Sequence, residues 1–393
     1  MNFDLLIADR AKTINGSGIR RVFDMKAMMK DPIDLSIGQP DFPVPAAVKR
    51  AAINAIEHDQ NGYTPTYGIP KLLQRISQHV KSDIGWDAQV SGLAGTRVIS
   101  TVGTSGGLVL ACMAMLNPGD EIIIPDPWFV LYPYLAHICQ AKAVRCDTYP
   151  DFRLTAERVA KVVTPKTKMI LTCSPGNPTG VVMTEQDNRE LVNLCKSKGI
   201  LLLSDEIYDE FTYSDARTEK ATNGVLRCPS PARIPGAEGN VLVIRGFGKT
   251  YGVTGWRLGY AVGPAPLIEQ MAKLQQYLYV CPPTPLQVGA VECFDIDMSK
   301  ELAEYERRRD MVFERLSRVT ELGKPGGAFY GFFKVPAKLN MTAEQFFHHA
   351  KDHNVLVVPG HTFSKHDTHL RLSYATKIET LEKGLDVLCK LMA

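Results

Sequence analysis

The sequence predicts an α/β protein with a mainly parallel β-sheet and a second, smaller α+β lobe. Short apolar runs alternate with longer segments of helical spacing through the middle of the chain. Most of these runs are too continuously apolar to have a face in water, and buried strands separated by helices are typical of parallel sheets covered on both sides. The predicted strands are residues 98–102, 121–124, 168–172, 200–204, 241–244 and 258–262.

Between the strands, helical spacing predicts helices over residues 155–163 and 184–198. Thr184 is a residue type that caps helix N-termini, and Gly199 is the type that ends helices in the left-handed conformation. After the proline-rich turn at 282–285 the pattern changes to that of a separate α+β lobe. This lobe is predicted to contain helices over 301–318, 343–351 and 379–392 and strands over 331–335 and 355–358.

The composition and the net charge of the chain reduce the number of possible functions. The 393 residues are 45% hydrophobic, which is ordinary for a globular protein of two or three domains. The net charge of +3 gives no electrostatic reason to expect nucleic acid or an anionic membrane as partner. The nine cysteines form no C-x-x-C pair, so we expect no disulfide framework and a cytoplasmic location. His349 and His353 lack a third ligand of recognisable spacing, and no metal site is predicted.

Two segments have the residues of a phosphate-binding site. Residues 101–107 place Thr104 and Ser105 among glycines, between a buried strand and an apolar helix. Backbone N–H groups at the start of a helix bind anions such as phosphate, although glycine-rich turns are common in α/β proteins and this segment alone identifies no site. A later glycine-rich stretch contains Lys249 and Arg257, which would place an amine beside a phosphate-binding guanidinium.

Two further segments carry polar residues that packing does not explain. The loop 174–180 contains two prolines and two glycines, and this stiff loop would present the Asn177 amide outward. Asp205 ends a buried strand, with Tyr208 three residues later, at the strand end where α/β sheets place their ligands. A carboxylate in that position needs a cationic partner, because leaving it buried and unpaired is costly.

The order of these segments resembles the class I/II aminotransferases, the fold-type I enzymes that use pyridoxal phosphate. The resemblance runs from Gly-Gln-Pro-Asp-Phe at 38–42 to Arg-Leu-Ser-Tyr-Ala at 371–375, which is nearly the whole chain. It implies a large cofactor-binding domain over residues 46–285 with a seven-stranded, mainly parallel sheet between helices. It also implies a small domain made of an N-terminal arm, 1–45, and a C-terminal lobe, 286–393.

The resemblance also implies a role for each of the polar residues. Lys249 would bond covalently to the cofactor and later move a proton, so a lowered pKa is expected for its amine. Asp205 would face the pyridine nitrogen and keep it protonated, while Asn177 and Tyr208 would hydrogen-bond the 3′-oxygen. Arg371 would bind the substrate α-carboxylate through two parallel hydrogen bonds. The implied catalytic residues are thus Lys249, Asp205 and Tyr208.

Further contacts follow from the same resemblance. The implied phosphate and ring contacts are Gly103, Thr104, Ser105, Arg257 and the aromatic Phe129, together with Tyr63 from the neighbouring subunit of a homodimer. The implied substrate contacts besides Arg371 are Gly38, Asn177 and Trp128. The sequence departs from the family where the usual Ser-x-Ser-Lys is Gly246-Phe247-Gly248-Lys249. Because a hydroxyl donor to the phosphate is lost, we expect cofactor binding to weaken about tenfold or more.

The implied reaction is a ping-pong transamination between an L-amino acid and a 2-oxo acid such as 2-oxoglutarate. A β-elimination lyase or a decarboxylating enzyme on the same scaffold stays open, because these enzymes share the cofactor residues. So does a non-catalytic regulator that retains the fold. Aspartate, alanine and aromatic amino acids all remain candidate substrates, with Arg20 and Arg21 as candidate ligands for a distal carboxylate.

Overall fold

The computed structural model describes residues 1–393, in which strands and helices alternate along the chain. The strands are β1 (Ile33–Asp34), β2 (Thr96–Thr101), β3 (Glu121–Asp126), β4 (Lys142–Asp147), β5 (Thr167–Cys173), β6 (Leu201–Asp205), β7 (Glu219–Lys220), β8 (Leu226–Arg227), β9 (Val241–Gly246), β10 (Gly259–Pro264), β11 (Tyr330–Lys334), β12 (Val355–Leu356), β13 (Val358–Pro359) and β14 (His369–Ser373). The helices are α1 (Asp9–Lys12), α2 (Gly18–Lys26), α3 (Ala46–Glu57), α4 (Pro70–Asp83), α5 (Gly103–Met115), α6 (Tyr132–Ile138), α7 (Ala156–Ala160), α8 (Glu185–Lys198), α9 (Phe247–Thr250), α10 (Ala265–Leu278), α11 (Thr284–Val291), α12 (Ser299–Leu316), α13 (Ala343–Asp352) and α14 (Ile378–Met392).

The main sheet has seven strands in the order β2-β10-β9-β6-β5-β3-β4. Strand β10 runs antiparallel to both of its neighbours, and the other pairs are parallel. The carboxyl ends of the other six strands therefore meet at one edge of the sheet, beside the amino end of β10. The prediction of a mainly parallel sheet is confirmed, and this edge is where open α/β sheets bind their ligands.

Side chains from the main sheet enter two separate cores, one on each face. Successive residues of a strand point to opposite faces, so neighbours in sequence belong to different cores. One core contains Val98, Ile123, Ile170, Leu202 and Val243, and the other contains Ile99, Ile122, Leu171, Leu203 and Leu242. Because both faces are covered by helices, the strands are as continuously apolar as the sequence suggested.

The edge strand β4 is the one strand of this sheet that the sequence reading missed. Its segment, Lys-Ala-Val-Arg-Cys-Asp, has charged residues at both ends and in the middle, and only Cys146 of the six is buried. The other edge strand, β2, is buried at five of its six positions, whereas β4 is buried at only one. Strand β4 therefore lacks the apolar run by which the other six strands were recognised.

The two helices predicted between the strands, α7 and α8, are both present. Helix α8 begins with a capping box between Thr184 and Asp187 and ends at Gly199, which has φ +65°. Helix α7 stops at Ala160, short of the predicted 163, because β-branched Val162 and Val163 have low helix propensity and a proline follows.

The C-terminal lobe is built on the three-stranded sheet β11-β14-β13 and the helices α12 to α14. Its predicted strand at 355–358 is two short strands, because β12 pairs with β1 and β13 pairs with β14. The lobe's core also takes in Tyr208, Phe211 and Tyr213 from the segment after β6, so this segment joins the two parts of the molecule.

The division of the chain at residue 285 stays a prediction. Helix α11 spans that position and packs closely on α3. Its residues Ala290 and Val291 lie in the large-domain core, so chain just beyond the proline-rich turn still belongs to the packing of the large part. None of the helices combines the length and the apolar content needed to span a membrane.

Candidate active site

A cavity of about 290 Å³ lies at the carboxyl edge of the main sheet, where the C-terminal lobe meets it. It is bounded by the chain that follows β2, β3, β5, β6 and β9, by the start of β10, and by β11 and β14. All but two of the predicted site residues line it: Gly38, Gly103, Thr104, Ser105, Phe129, Asn177, Asp205, Tyr208, Lys249, Arg257 and Arg371. The sheet topology thus brings together residues that are far apart in sequence.

Two of the predicted residues lie elsewhere. Trp128 is 7% exposed and packs in the core behind the cavity, with the Arg145 guanidinium 4.5 Å from its ring. The turn after β3 directs Phe129, not Trp128, into the cavity, and the predicted substrate contact of Trp128 stays a prediction. Tyr63 is 88% exposed on the surface and touches no part of this cavity within one chain.

Lys249 lies on the short helix α9, directly after β9, and its Nζ donates a hydrogen bond to the Gly38 carbonyl at 2.7 Å. Burial, together with the smaller effects of the Arg371 and Arg257 charges, lowers the pKa of Lys249 to about 8. A lowered pKa means that the amine is mostly neutral above about pH 8, whereas an ordinary lysine is not. Only the neutral amine is nucleophilic or able to accept a proton.

Asp205 ends β6 as a buried carboxyl group, 3% exposed. Tyr132 donates to its Oδ2 at 2.8 Å and the Ile207 backbone N–H donates to Oδ1 at 3.3 Å, and no side chain forms an ion pair with it. Burial raises the pKa of Asp205 to about 6, while the hydrogen bond from Tyr132 opposes that rise. A positively charged group from a ligand would supply the missing partner.

The end of the cavity that is predicted to bind a phosphate group is formed by the start of α5. Gly103 has φ +66°, and a Cβ atom at this position would lie 2.6 Å from Nη2 of Arg257. Only glycine therefore lets the main chain approach that guanidinium. The first-turn N–H groups of a helix have no partner inside the helix, so those of Thr104 and Ser105 are free to bind an anion.

Gly246 and Gly248, where the sequence departs from the family pattern, are both closely surrounded. A Cβ atom on Gly246 would lie 2.8 Å from Cδ1 of Ile207 and 2.9 Å from Cγ2 of Thr104. The Thr104 side chain thus occupies the space beside Gly246, and it carries a hydroxyl group. The weaker cofactor binding expected from the two glycines stays a prediction.

Arg371 lies on β14 at the opposite end of the cavity and is 1% exposed. Its Nη1 donates to Oδ1 of Asn177 at 3.0 Å and its Nη2 donates to the Ser36 carbonyl at 2.8 Å, while its buried Nε has no partner in the chain. Burial also lowers the pKa of this guanidinium, because no carboxylate compensates its charge. An incoming carboxylate would fit this unpaired cation.

The two arginines predicted as candidates for a distal carboxylate lie outside the cavity. Arg20 pairs with Asp24 at 3.1 Å and Arg21 pairs with Glu344 at 2.9 Å, both in exposed positions. Their neighbour Ile19 lines the cavity instead. Helix α2 places successive side chains about 100° apart, so the residue before the arginine pair faces inward while the pair faces out.

Several side chains that line this cavity were not predicted from the sequence, among them Ile19, Tyr132 and Tyr330. Tyr132 follows the aromatic turn by three residues, and its bond to Asp205 depends on the long-range packing of α6 against the sheet. Tyr330 ends the Gly-Gly-Ala-Phe-Tyr stretch at 326–330, to which no role was assigned from the sequence.

Comparisons with known proteins agree with this geometry. The family model described as aminotransferase class I and II matches residues 30–388. An aspartate aminotransferase of Pyrococcus abyssi is 33% identical, over 99% of this chain and 98% of that protein. An aromatic-amino-acid aminotransferase of Thermococcus litoralis is 32% identical, with the same coverage. The solved structure of Thermus thermophilus aspartate aminotransferase with maleate has a TM-score of 0.88 at 30% identity, covering 98% and 99% of the two chains.

The chain belongs to the class I and II aminotransferases. It has their fold type I architecture and is a transaminase that acts on amino acids and 2-oxo acids, so the lyase and regulator alternatives are not favoured. Enzymes of this class depend on pyridoxal phosphate, and the residues present fit that group. The unpaired carboxylate of Asp205 suits a ring nitrogen that carries a proton, the Lys249 amine suits an aldehyde, and the start of α5 with Arg257 suits a phosphate.

Proposed function

We propose that this cavity is the transamination site, with Lys249 as the residue that binds the cofactor and moves the proton. Asp205 is assigned to the cofactor ring, Arg257 and the start of α5 to its phosphate, and Arg371 to the substrate α-carboxylate. The proposal rests on one observation, which is that three unusual groups surround one cavity. They are the Lys249 amine with its lowered pKa, the buried carboxylate of Asp205 and the buried guanidinium of Arg371, and neither of the last two has an ion-pair partner.

Pyridoxal phosphate supplies an electron-accepting ring, which takes up the electron pair left when the substrate α-carbon loses its proton. Asp205 keeps the ring nitrogen protonated and thereby increases the electron demand of the ring. Its hydrogen bond from Tyr132 at 2.8 Å fixes the carboxylate plane, and the dry surroundings strengthen the charge interaction. Phe129, held edge to face against Tyr132 with ring centres 5.6 Å apart, covers the cavity and excludes water from it.

Lys249 Nζ is assigned the proton transfer. In the neutral form the amine would accept the proton from the substrate α-carbon, and as an ammonium group it would donate that proton to the cofactor carbon. The lowered pKa of about 8 keeps a useful neutral fraction near physiological pH. Gly38, whose carbonyl accepts a hydrogen bond from Nζ, limits the positions that the freed amine can take.

Arg371 orients the substrate. Two N–H groups of one guanidinium can hold both oxygens of a carboxylate in a fixed plane. The Asn177 and Ser36 oxygens set the direction of the guanidinium before substrate arrives, so little is lost in ordering it. A fixed α-carboxylate in turn fixes which bond of the α-carbon is broken.

The preferred amino acid is proposed to have an uncharged side chain. Ile19 forms part of the cavity wall, while Arg20 and Arg21 are held in ion pairs on the outer face of α2. The cations that line the cavity, Lys249 and the two arginines at its ends, all have other assignments. Aspartate, which names several of the relatives, is the alternative substrate.

A homodimer in the cytoplasm is part of the proposal, with Tyr63 reaching the neighbouring site. The segment that carries Tyr63 is held in place by hydrogen bonds of 2.6 Å from Gln275 to Thr66 and from Thr284 to Gly62. Tyr63 itself is left 88% exposed, as expected for a side chain that waits for a partner subunit.

Replacing Arg371 by lysine tests the carboxylate anchor. Because an ammonium group cannot form the two parallel hydrogen bonds, we expect KM for every amino acid to rise by about 10- to 100-fold while cofactor binding is retained. Steady-state kinetics and cofactor titration measure the two effects. The control is Arg318→Lys, at an exposed arginine far from the cavity, and an unchanged KM in Arg371→Lys would contradict the assignment.

A panel of amino acids tests the transamination and its side-chain preference together. With 2-oxoglutarate or pyruvate as acceptor, we expect leucine, phenylalanine and alanine to give higher kcat/KM than aspartate, because Ile19 offers apolar contact and no free charge. Detection of the oxo acid product by mass spectrometry separates transamination from elimination. Faster turnover of aspartate than of the three others would show that a cation reaches the side-chain end of the site.

The dimer is tested by sedimentation velocity at micromolar concentration. We expect twice the mass of one chain, and Tyr63→Ala is expected to keep this mass but bind the cofactor more weakly, since it removes only the contact to the neighbouring site. A wild-type protein that sediments as a single chain and is still active would contradict the shared site.

A further inference from the structure

Tyr330 lies between two groups with assigned roles and has none itself. It is 2% exposed and lines the cavity from the first position of β11. Its hydroxyl oxygen is 3.1 Å from the hydroxyl oxygen of Tyr208, and the Cζ atom of Arg371 lies 4.4 Å from its ring centre. One side chain thus contacts both the carboxylate anchor and the tyrosine assigned to the cofactor.

The position of the Tyr330 hydroxyl is fixed from several sides. Strand β11 pairs with β14, which carries Arg371, so the ring and the guanidinium are held by one small sheet. On another side, a Cβ atom at Gly38 would lie 2.0 Å from the Tyr330 hydroxyl oxygen. The ring is also tilted against Phe329 at 4.9 Å between centres. The hydroxyl therefore has little freedom to turn away from Tyr208.

The nearby charge favours one direction of the hydrogen bond between the two hydroxyl groups. The guanidinium against the Tyr330 ring makes this phenol the stronger acid of the pair, and the stronger acid is the better donor. Burial raises the pKa of both tyrosines, and the charge of Arg371 opposes this rise most directly at Tyr330. The distance of 3.1 Å allows either hydroxyl group to donate. In the direction that this charge favours, Tyr330 donates to the Tyr208 oxygen and the proton of Tyr208 stays available for another acceptor.

We propose that Tyr330 is a positioning residue that directs the Tyr208 hydroxyl toward the cofactor and strengthens it as a donor. This rests on the proposed function, in which Tyr208 faces the 3′-oxygen of the cofactor. A hydroxyl group that accepts one hydrogen bond donates a stronger one, because the bonds polarise each other. Tyr330 also connects this donor to Arg371, so that the anchor for the substrate carboxylate and the cofactor contact share one side chain.

The proposal is tested by titrating the visible absorbance of the cofactor-loaded enzyme against pH. A donor to the 3′-oxygen draws electron density from it and lowers the pKa of the nitrogen that joins Lys249 to the cofactor. Tyr330→Phe keeps the ring and its contact with Arg371 but removes the hydroxyl group, so the spectral pKa is expected to rise by about half a unit to one unit. KM for amino acids should change little, while kcat falls.

Two further variants separate the possible failures. Tyr208→Phe is expected to raise the spectral pKa more than Tyr330→Phe does, because it removes the donor itself. Tyr374→Phe is the matched control, since Tyr374 forms a similar buried pair with Tyr213, also at 3.1 Å between hydroxyl oxygens, away from the cavity. It should leave the spectral pKa unchanged.

Each of the following four results would contradict the proposal. A shift in Tyr208→Phe without one in Tyr330→Phe would remove Tyr330 from the pair but leave the proposed function intact. A raised KM in Tyr330→Phe with an unchanged spectral pKa would make Tyr330 a substrate contact. A fall in the spectral pKa would mean that Tyr330 competes for the Tyr208 proton. No shift in either variant would contradict the placing of Tyr208 at the cofactor and with it the proposed function.

Discussion

The structure depends on two charged groups that are buried without an oppositely charged partner in the chain. Asp205 is 3% exposed and Arg371 is 1% exposed, at different sides of one cavity, and neither forms an ion pair. Leaving such groups unpaired costs free energy, and a sequence selected for stability alone would not keep them. A cofactor with a protonated ring nitrogen and a substrate with a carboxylate would supply the missing charges. The two unpaired groups thus lower the stability of the free protein but allow it to bind these ligands.

The scaffold accounts for the position of these groups. Parallel strands bring their carboxyl ends to one edge, and covering both faces with helices leaves that edge as the place where polar side chains can meet. By contrast, the buried guanidinium of Arg245 behind the cavity has two carboxylate partners, Asp83 at 2.7 Å and Glu206 at 2.8 Å. Buried charges with partners in the chain thus stabilise the fold, whereas Asp205 and Arg371 are left unpaired where a ligand would bind.

The sequence predicted what depends on local pattern. Six strands of the main sheet, the ends of α8 and the polar residues that follow the strands could all be read from apolar runs, caps and spacing. It placed two adjacent aromatic residues in the site, Phe129 at the cofactor and Trp128 at the substrate, whereas the turn after β3 directs only Phe129 into the cavity. Tyr132 and Tyr330 were missed for a related reason, since their partners are 73 and 122 residues away and only the folded chain brings them together.

The most direct test of the account is to find which lysine carries the cofactor. The enzyme is loaded with pyridoxal phosphate and reduced with borohydride, which makes the bond between the cofactor and the amine permanent. The protein is then digested, and the masses of its peptides are measured by mass spectrometry. We expect the added mass on the peptide that contains Lys249, and none in Lys249→Ala. Label on a different lysine, or no label in a protein that still transaminates, would contradict it.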